Sequence, residues 1–213
     1  MKIFIDFDDA IFNTKAFKKK FIGVFRKHGV SKEDFDKSYK DYPTVVKKNI
    51  SKYDPRMQIK VLEKRLGIEG KKLKRDINKF LSGTDKFITS DVLPFLKKFK
   101  KRDLFLITYG DAYFQKIKIR NCGIRKYFSK VIVTDKLKAE EIARLADNVE
   151  KETFVFIDDR ADQIESVKKK FPHCATFLIK RKEGRYNDKR TKHVDFEVKN
   201  LTEAGKIIGD IAK

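Results

Sequence analysis

Short apolar runs spaced along the chain constrain its fold more than any other feature of the sequence. Four of them are rich in β-branched and aromatic residues, lack a clean polar–apolar alternation and are too short for a helix: KIFID (2–6), LFLIT (104–108), KVIVT (130–134) and TFVFID (153–158). Strands that are buried on both faces of a parallel sheet have this composition. Two further runs predict a fifth strand and a short edge strand, ATFLIK (175–180) and VDFEV (194–198).

Segments with helical periodicity separate these runs. DAYFQKIKIRNCG (111–123) follows the second run and ends in a glycine suited to a helix C-cap. KAEEIARLADNVEK (138–151) and RADQIESVKKKF (160–171) follow the third and fourth runs, and LTEAGKIIGDIAK (201–213) predicts a last helix. Strands that alternate with helices through short loops are typical of a doubly wound, Rossmann-like α/β fold with a parallel sheet.

The segment between the first and second runs departs from this alternation. From about residue 14 to residue 88 it has the pattern of helices alone. We therefore expect an α/β core domain of residues 1–13 and 89–213, and an inserted helical domain of residues 14–88. The insertion follows the carboxyl end of the first strand, where open α/β sheets bind ligands, so it is placed to cover a site.

Polar side chains stand at the carboxyl ends of the predicted strands. Taken singly each is weak evidence, because Asp and Thr often cap the helix that follows a strand. A parallel sheet brings the carboxyl ends of its strands to one edge, so we expect these side chains to share a pocket. They are Asp6, Asp8, Thr108, a lysine after the third strand, Asp158 and Asp159.

Four segments resemble, in order, the motifs of the haloacid dehalogenase (HAD) superfamily of phosphatases and phosphotransferases. FIDFDDAIFNT resembles the first motif, an apolar strand that ends in Asp-x-Asp, and LFLITYG resembles the second, which ends in Thr or Ser. VIVTDKLK resembles the third, which supplies a lysine, and FVFIDDRADQI resembles the fourth, with its paired acids. The matches run from residue 2 to about residue 165, and the helical insertion has the position of the cap domain in C1-type members.

This resemblance implies a Mg²⁺-dependent phosphatase that acts on a small phosphorylated substrate. Asp6 would attack phosphorus to form an aspartyl-phosphate, and Asp8 would protonate the leaving alcohol and then deprotonate water. The ligands that the resemblance implies for Mg²⁺ are the Asp6 carboxylate, the backbone carbonyl of Asp8 and an acid of the pair Asp158 and Asp159.

Thr108 and the motif-three lysine would hold the phosphoryl oxygens in the transition state. That lysine is Lys136 or Lys138, and Lys136 is preferred because it follows the strand more directly. Asp162 is either a further acid around the site or, as we favour, an exposed residue in the first turn of a helix. Asp9 departs from the family pattern, in which glycine is common at this point. It either adds charge beside the metal, raising a neighbouring pKa or binding a substrate amine, or faces outward.

Other reactions and folds use some of the same residue types. Asp8 favours phosphate-ester hydrolysis over dehalogenation, which does not need that acid. A phosphomutase or phosphotransferase stays open, because an aspartyl-phosphate can pass its phosphate to an acceptor other than water. Bacterial receiver domains use similar residues, but their paired acids come first in the chain and a helical insertion is not part of their pattern.

The charge of the chain suggests a second class of function. Lys and Arg number 52 against 31 acidic residues, a net charge of +21 that would attract nucleic acid and other polyanions. Because the lysines are spread along the chain, nonspecific attraction is favoured over a dedicated face. The stretch KRKEGRYNDKRTKH (180–193), which contains Tyr186, either clamps RNA or a nucleotide phosphate or is a solvated loop. A nucleotide- or nucleic-acid-associated protein with the same fold is therefore the alternative.

The cysteines and the apolar segments predict a location. Cys122 and Cys174 lie in no CxxC or histidine-rich cluster, and buried inert thiols are expected. The sequence lacks an apolar stretch of membrane-spanning length and a signal-peptide pattern. We therefore expect a cytoplasmic protein that has reduced cysteines and does not associate with a membrane.

Overall fold

A six-stranded parallel sheet forms the centre of the molecule in a computed structural model, which describes residues 1–45, 53–145 and 153–211. The sheet has the order β3-β2-β1-β4-β5-β6, with every neighbouring pair parallel. All six predicted strands are confirmed. Their bounds are β1 Ile3–Ile5, β2 Leu104–Tyr109, β3 Lys130–Thr134, β4 Val155–Asp158, β5 Ala175–Ile179 and β6 Phe196–Val198.

Helices follow the strands as the alternating pattern predicts, and four of them lie between β1 and the short helix that leads into β2. The predicted helical segments that extend into residues 46–52 and 146–152 lie in part outside the described residues. The helices are α1 Thr14–Arg26, α2 Lys32–Val45, α3 Pro55–Leu66, α4 Gly70–Leu81, α5 Val92–Leu96, α6 Ala112–Asn121, α7 Lys138–Leu145, α8 Ala161–Lys170 and α9 Leu201–Ile211. None of these helices combines the length and the apolar character that a membrane span requires. The cytoplasmic location stays a prediction.

Both faces of the sheet are buried, which explains why its strands lack polar alternation. Successive side chains of a strand point to opposite faces. Ile3 and Ile5 belong to the buried cluster that includes residues of the inserted helices, α6 and α9. Phe4 belongs to a second cluster with residues of α7 and α8. A strand between two helical layers needs apolar residues at every position, and β1 is fully buried throughout.

The inserted helices pack on the sheet through an apolar stripe. On α1, Phe17, Phe21 and Phe25 recur every four residues, and all three are buried. They belong to the same buried cluster as Ile3 and Ile5. The insertion therefore packs directly over one side of the sheet.

The chain enters and leaves the insertion through two paired segments. Phe12 and Ile88 form an antiparallel bridge, and the amide of Asn13 donates to the carbonyl of Phe87 over 2.8 Å. This pairing closes the insertion near the predicted limits of 14 and 88. The division into core and cap domains itself stays a prediction.

Candidate active site

The register of the central strands brings three carboxylates together. Ile5 of β1 pairs with Ile157 of β4, so Asp6 and Asp158 leave the sheet side by side. Carboxylate oxygens of Asp6, Asp158 and Asp159 all lie within 4.8 Å of one another, and the three residues are at most 8% exposed. This arrangement is compact enough to hold a metal ion.

A single lysine ammonium balances part of this negative charge. Lys138 Nζ lies 2.5 Å from Asp6 Oδ1 and 2.6 Å from Asp158 Oδ2. Burial raises the pKa of Asp6 to about 7, against the effect of Lys138 and with a contribution from Asp158. Burial, together with the charges of Asp6 and Asp158, raises the pKa of Asp159 to about 9. Lys138 therefore does not fully offset the burial of these acids, and the raised pKa values of Asp6 and Asp159 favour their protonated forms.

The donor set fits a hard divalent cation. Asp159 Oδ2 is buried and has no hydrogen-bond partner in the described part of the chain. A buried carboxylate oxygen without a partner is costly, and Mg²⁺ binds carboxylate oxygens. A cation among these acids would offset the burial that raises the pKa values of Asp6 and Asp159.

The preference for Lys136 over Lys138 is not supported by this geometry. Lys136 is exposed, and its amide donates to Thr134 Oγ1 over 2.9 Å. Lys138 is 3% exposed and begins α7, whose first turn directs its side chain onto the carboxylates. Residues 135–137 form the connection, so closeness to the strand in sequence did not identify the lysine.

Asp8 is held by three side chains from the two elements that follow β1 and β2. Thr14 Oγ1 donates to Asp8 Oδ1 over 2.7 Å, and Gln115 Nε2 donates to Oδ2 over 2.7 Å. Lys118 Nζ lies 2.9 Å from Oδ1. Burial opposes ionisation of Asp8, but Lys118, Arg185 and the hydrogen bond from Gln115 outweigh it and lower its pKa to about 2. Asp8 is therefore an ionised carboxylate in a fixed orientation.

Lys118 was missed by the sequence reasoning. Its ammonium is buried and lies 5.2 to 5.6 Å from the ring centroids of four phenylalanines, Phe7, Phe12, Phe17 and Phe114. Aromatic faces attract cations, and the attraction is largest where water is excluded. Gln115 and Lys118 are three residues apart and therefore share one face of α6. The sequence feature that could have identified Lys118 is the presence of a glutamine and a lysine on the buried side of a helix.

Thr108 lies at the end of β2, where the resemblance placed it. It is 1% exposed, and its hydroxyl oxygen accepts a hydrogen bond of 3.3 Å from Gln115 Nε2. The same nitrogen donates to Asp8 and to the carbonyl of Tyr109. Gln115 therefore connects the end of β2 to the turn after β1.

Asp9 faces inward, so of the two alternatives left open for it the outward-facing acid is wrong. It is 2% exposed and has a left-handed backbone conformation with φ of 59°. Arg185 Nε donates to its Oδ2 over 2.5 Å. Burial raises the pKa of Asp9, and Arg185 opposes this change. An arginine of this chain, in place of a substrate amine, is therefore the partner of Asp9.

The basic stretch 180–193 reaches the site through two arginines and a tyrosine, so a purely solvated loop is also wrong. Arg181, 8% exposed, donates to the carbonyl of Ala10 over 2.9 and 2.8 Å. The guanidinium groups of Arg160 and Arg185 lie 4.7 and 5.2 Å from the ring centroid of Tyr186. These contacts tie the loop to the turn after β1.

Asp162 occupies the first turn of α8 and is exposed, as favoured from the sequence. Its side chain is 55% exposed and bonds Arg160 over 2.7 Å. It lies outside the group of three acids that could hold a metal.

One cavity of about 700 Å³ contains the whole constellation. Its lining includes all six predicted site residues, together with Lys138, Gln115 and Lys118. The inserted helices contribute aromatic side chains to the same lining. The insertion therefore covers the carboxyl edge of the sheet, as its position in the sequence predicted.

Solved structures share this architecture, although no protein-family model and no curated protein matches the sequence. A protein described as a haloacid dehalogenase-like hydrolase from Burkholderia xenovorans is similar with a TM-score of 0.76 at 14% identity, over 99% of this chain and 97% of that one. The protein YfnB from Bacillus subtilis, described as a HAD-hydrolase bound to magnesium, gives 0.62 at 14% identity over 97% of each chain.

A third similar structure belongs to a protein that is named for a different reaction. A protein described as a β-phosphoglucomutase from Thermotoga maritima gives a TM-score of 0.59 at 15% identity, over 99% of this chain and all of the other. At such identities the similarity establishes the fold and leaves the reaction to the chemistry of the site.

Proposed function

We propose, from the premise that this chain has the fold of the haloacid dehalogenase-like hydrolases, that it is a Mg²⁺-dependent phosphatase acting on a small phosphomonoester. The observation that carries the proposal is Asp8, a second carboxylate held in the same cavity as Asp6. Cleavage of a phosphate ester releases an alcohol whose oxygen must receive a proton, and a positioned carboxyl group supplies it. Dehalogenation has no such requirement.

Asp6, Asp8 and the pair Asp158 and Asp159 would hold the cation, with Asp8 contributing its backbone carbonyl. Mg²⁺, when bound, reduces the repulsion between the phosphoryl group and the surrounding carboxylates. The support for this site is the group of three buried acids and the buried Asp159 oxygen that lacks a partner among the described residues.

Asp6 acts as the nucleophile. A bond forms between an Asp6 oxygen and phosphorus while the bond from phosphorus to the alcohol oxygen breaks. Water then attacks phosphorus, and the bond to Asp6 breaks to release inorganic phosphate. Lys138, already in contact with the Asp6 carboxylate, and the Thr108 hydroxyl donate hydrogen bonds to the phosphoryl oxygens in both steps.

Asp8 moves the proton in both steps. Its carboxylate is ionised in the free protein, and the approach of a negatively charged phosphoryl group raises its pKa so that it takes up a proton from solvent. It gives this proton to the leaving alcohol oxygen and takes one from the attacking water. Lys118 and Gln115 hold the carboxylate in one orientation throughout.

Hydrolysis of p-nitrophenyl phosphate, with and without Mg²⁺, tests the proposal. We expect Mg²⁺-dependent turnover that Asp6→Asn lowers by at least about a thousandfold, because the nucleophile is lost. The matched control is Asp85→Asn, the same substitution at an exposed aspartate outside the cavity. Calorimetry with Mg²⁺ alone gives a readout that does not depend on turnover. Equal rates for wild type and Asp6→Asn, or full activity in a chelator, would contradict the proposal.

A further inference from the structure

The cavity extends beyond the carboxylates to aromatic side chains that the proposed chemistry does not use. Tyr39 of α2 and Tyr186 of the stretch 180–193 both line it, and each is 40% exposed. The ring of Tyr39 lies 4.8 Å from that of Tyr53, which also lines the cavity. The lining of the cavity therefore includes exposed aromatic rings as well as carboxylates.

Core packing does not account for this exposure. Phe17 and Phe21, which also line the cavity, are 2 to 3% exposed and belong to the buried cluster. Tyr39 lies outside both buried clusters. A large ring left open to a cavity, while neighbouring rings are buried, indicates a surface that a ligand covers.

Tyr39 and Tyr186 line the cavity from different parts of the chain. Tyr39 comes from the insertion, and Tyr186 comes from the loop after β5. Burial raises the pKa of the Tyr39 hydroxyl, and Arg185 and Tyr186 lie near enough to act on it as well. Tyr39 and Tyr186 therefore lie near enough to interact electrostatically, and both line the cavity.

Cations accompany both rings. Lys18 Nζ lies 5.2 Å from the ring centroid of Tyr39, and Arg160 and Arg185 flank the ring of Tyr186. A planar ring system that binds here meets aromatic faces together with guanidinium and ammonium groups, which all favour a π surface. A sugar phosphate without an aromatic ring would leave these faces uncovered.

We propose that the substrate is a nucleoside monophosphate, whose base binds against Tyr39 and Tyr186 while its phosphate lies at Asp6. This inference rests on the proposed phosphatase function and names its substrate class. Bases present a π-face to aromatic side chains and stack on them irrespective of sequence. The volume of about 700 Å³ lies in the range of pockets that enclose ligands of this size.

Nucleoside 5′-monophosphates and ribose 5-phosphate form a matched pair of substrates, because they share the sugar and the phosphate and differ in the base. We expect kcat/KM to be roughly 5- to 150-fold higher for AMP or UMP than for ribose 5-phosphate, the range that stacking of one base supplies. Phenyl phosphate is the third substrate and separates a small aromatic ring from a base.

Tyr39→Leu and Tyr186→Leu test where the base binds. We expect each to lower the ratio of the two kcat/KM values, because leucine removes the aromatic face and keeps an apolar side chain. Tyr127→Leu is the control, since this half-buried tyrosine lies outside the cavity and should leave the ratio at its wild-type value. Each ratio is measured on one preparation, so loss of folded protein cancels.

The outcomes separate the inference from the proposed function. Asp6-dependent hydrolysis with equal rates for AMP, UMP and ribose 5-phosphate would overturn the inference and leave the phosphatase intact. Phenyl phosphate turned over as well as the nucleotides would overturn the assignment of a base. A ratio unaltered in both Tyr39→Leu and Tyr186→Leu would overturn the binding site. Failure of Asp6-dependent hydrolysis with p-nitrophenyl phosphate and all these esters would overturn both.

Discussion

Replacing Lys118 by methionine tests the most unusual contact of the site. Its ammonium is 3% exposed, bonds both oxygens of Asp8 over 2.9 and 3.3 Å and is surrounded by phenylalanine rings. Methionine keeps most of the length and the apolar stem of the side chain and removes the charge. The variant therefore leaves the partly buried Asp8 carboxylate, whose side chain is 16% exposed, without its main counter-charge.

Two arguments give the size of the expected effect. Removing one partner of a buried ion pair typically costs about 3–5 kcal/mol, because the other charge stays buried. Independently, the pKa of Asp8 is lowered from 3.8 to about 2, which corresponds to roughly 2 kcal/mol shared among Lys118, Arg185 and Gln115. We therefore expect Lys118→Met to reduce the free energy of unfolding by about 2–4 kcal/mol at pH 7.

The sign of the pH dependence follows from the direction of the shift. A carboxyl group whose pKa is lowered in the folded state stabilises the fold above its unfolded pKa, and this contribution disappears as the pH falls from about 4 towards 2. In Lys118→Met the pKa of Asp8 rises, so we expect the difference in stability between the two proteins to be full at pH 7 and to shrink as the pH falls from the raised pKa of the variant towards the wild-type value of about 2.

Urea unfolding followed by far-UV circular dichroism, in a metal-free buffer, measures the effect. The matched control is Lys116→Met, the same substitution two residues away on the exposed side of α6, where a change within about 0.5 kcal/mol is expected. Asp8→Asn completes a double-mutant cycle, since Lys118→Met should cost much less when position 8 carries no charge. The reasoning would be refuted if Lys116→Met and Lys118→Met lowered the free energy of unfolding equally. It would also be refuted if Lys118→Met lowered it by the same amount with and without Asp8→Asn.

Three further predictions concern the metal site, the loop and a thiol. Burial raises the pKa of Asp159 to about 9, so this residue destabilises the folded state as the pH rises above about 4. Without metal, Asp159→Asn should therefore unfold at a higher temperature than wild type at about pH 8. Mg²⁺ should raise the Tm of wild type and of Asp85→Asn but not that of Asp159→Asn. Arg181→Met should destabilise the protein by about 3 kcal/mol in urea titrations, because Arg181 is a buried guanidinium with several hydrogen bonds, whereas exposed Lys182→Met should have little effect. Cys122, buried and with its pKa raised to about 12, should react with a thiol reagent in urea and resist it in the native protein.

Much of the architecture could be predicted from the sequence, because local patterns specified it. All six strands were identified from apolar composition and length, since a strand between two helical layers must be apolar at every position. The order of strands and helices in turn placed Asp6, Thr108 and Asp158 at one edge of a sheet. The six candidate site residues consequently line one cavity.

Sequence reasoning was least informative where the packing of whole elements decides which side chains meet. Lys136 and Lys138 differ by two positions, and only the start of α7 decides which ammonium reaches the carboxylates. Whether Asp9 faces inward or outward was left open by the sequence, because its partner, Arg185, is 176 positions away. Lys118 had no local signal strong enough to separate it from the many exposed lysines.

The sequence by itself determined which carboxylates stand at the ends of strands and that helices cover them. The apolar composition of a strand and the periodicity of a helix are local properties of the chain. Tertiary structure alone decided the charge balance of the site. The pairing of Lys118 with Asp8, of Lys138 with Asp6 and of Arg185 with Asp9 depends on contacts between elements distant in the chain. Coulomb interactions and burial act through space, so the ionisation of these acids could be assigned only once the fold had placed their partners.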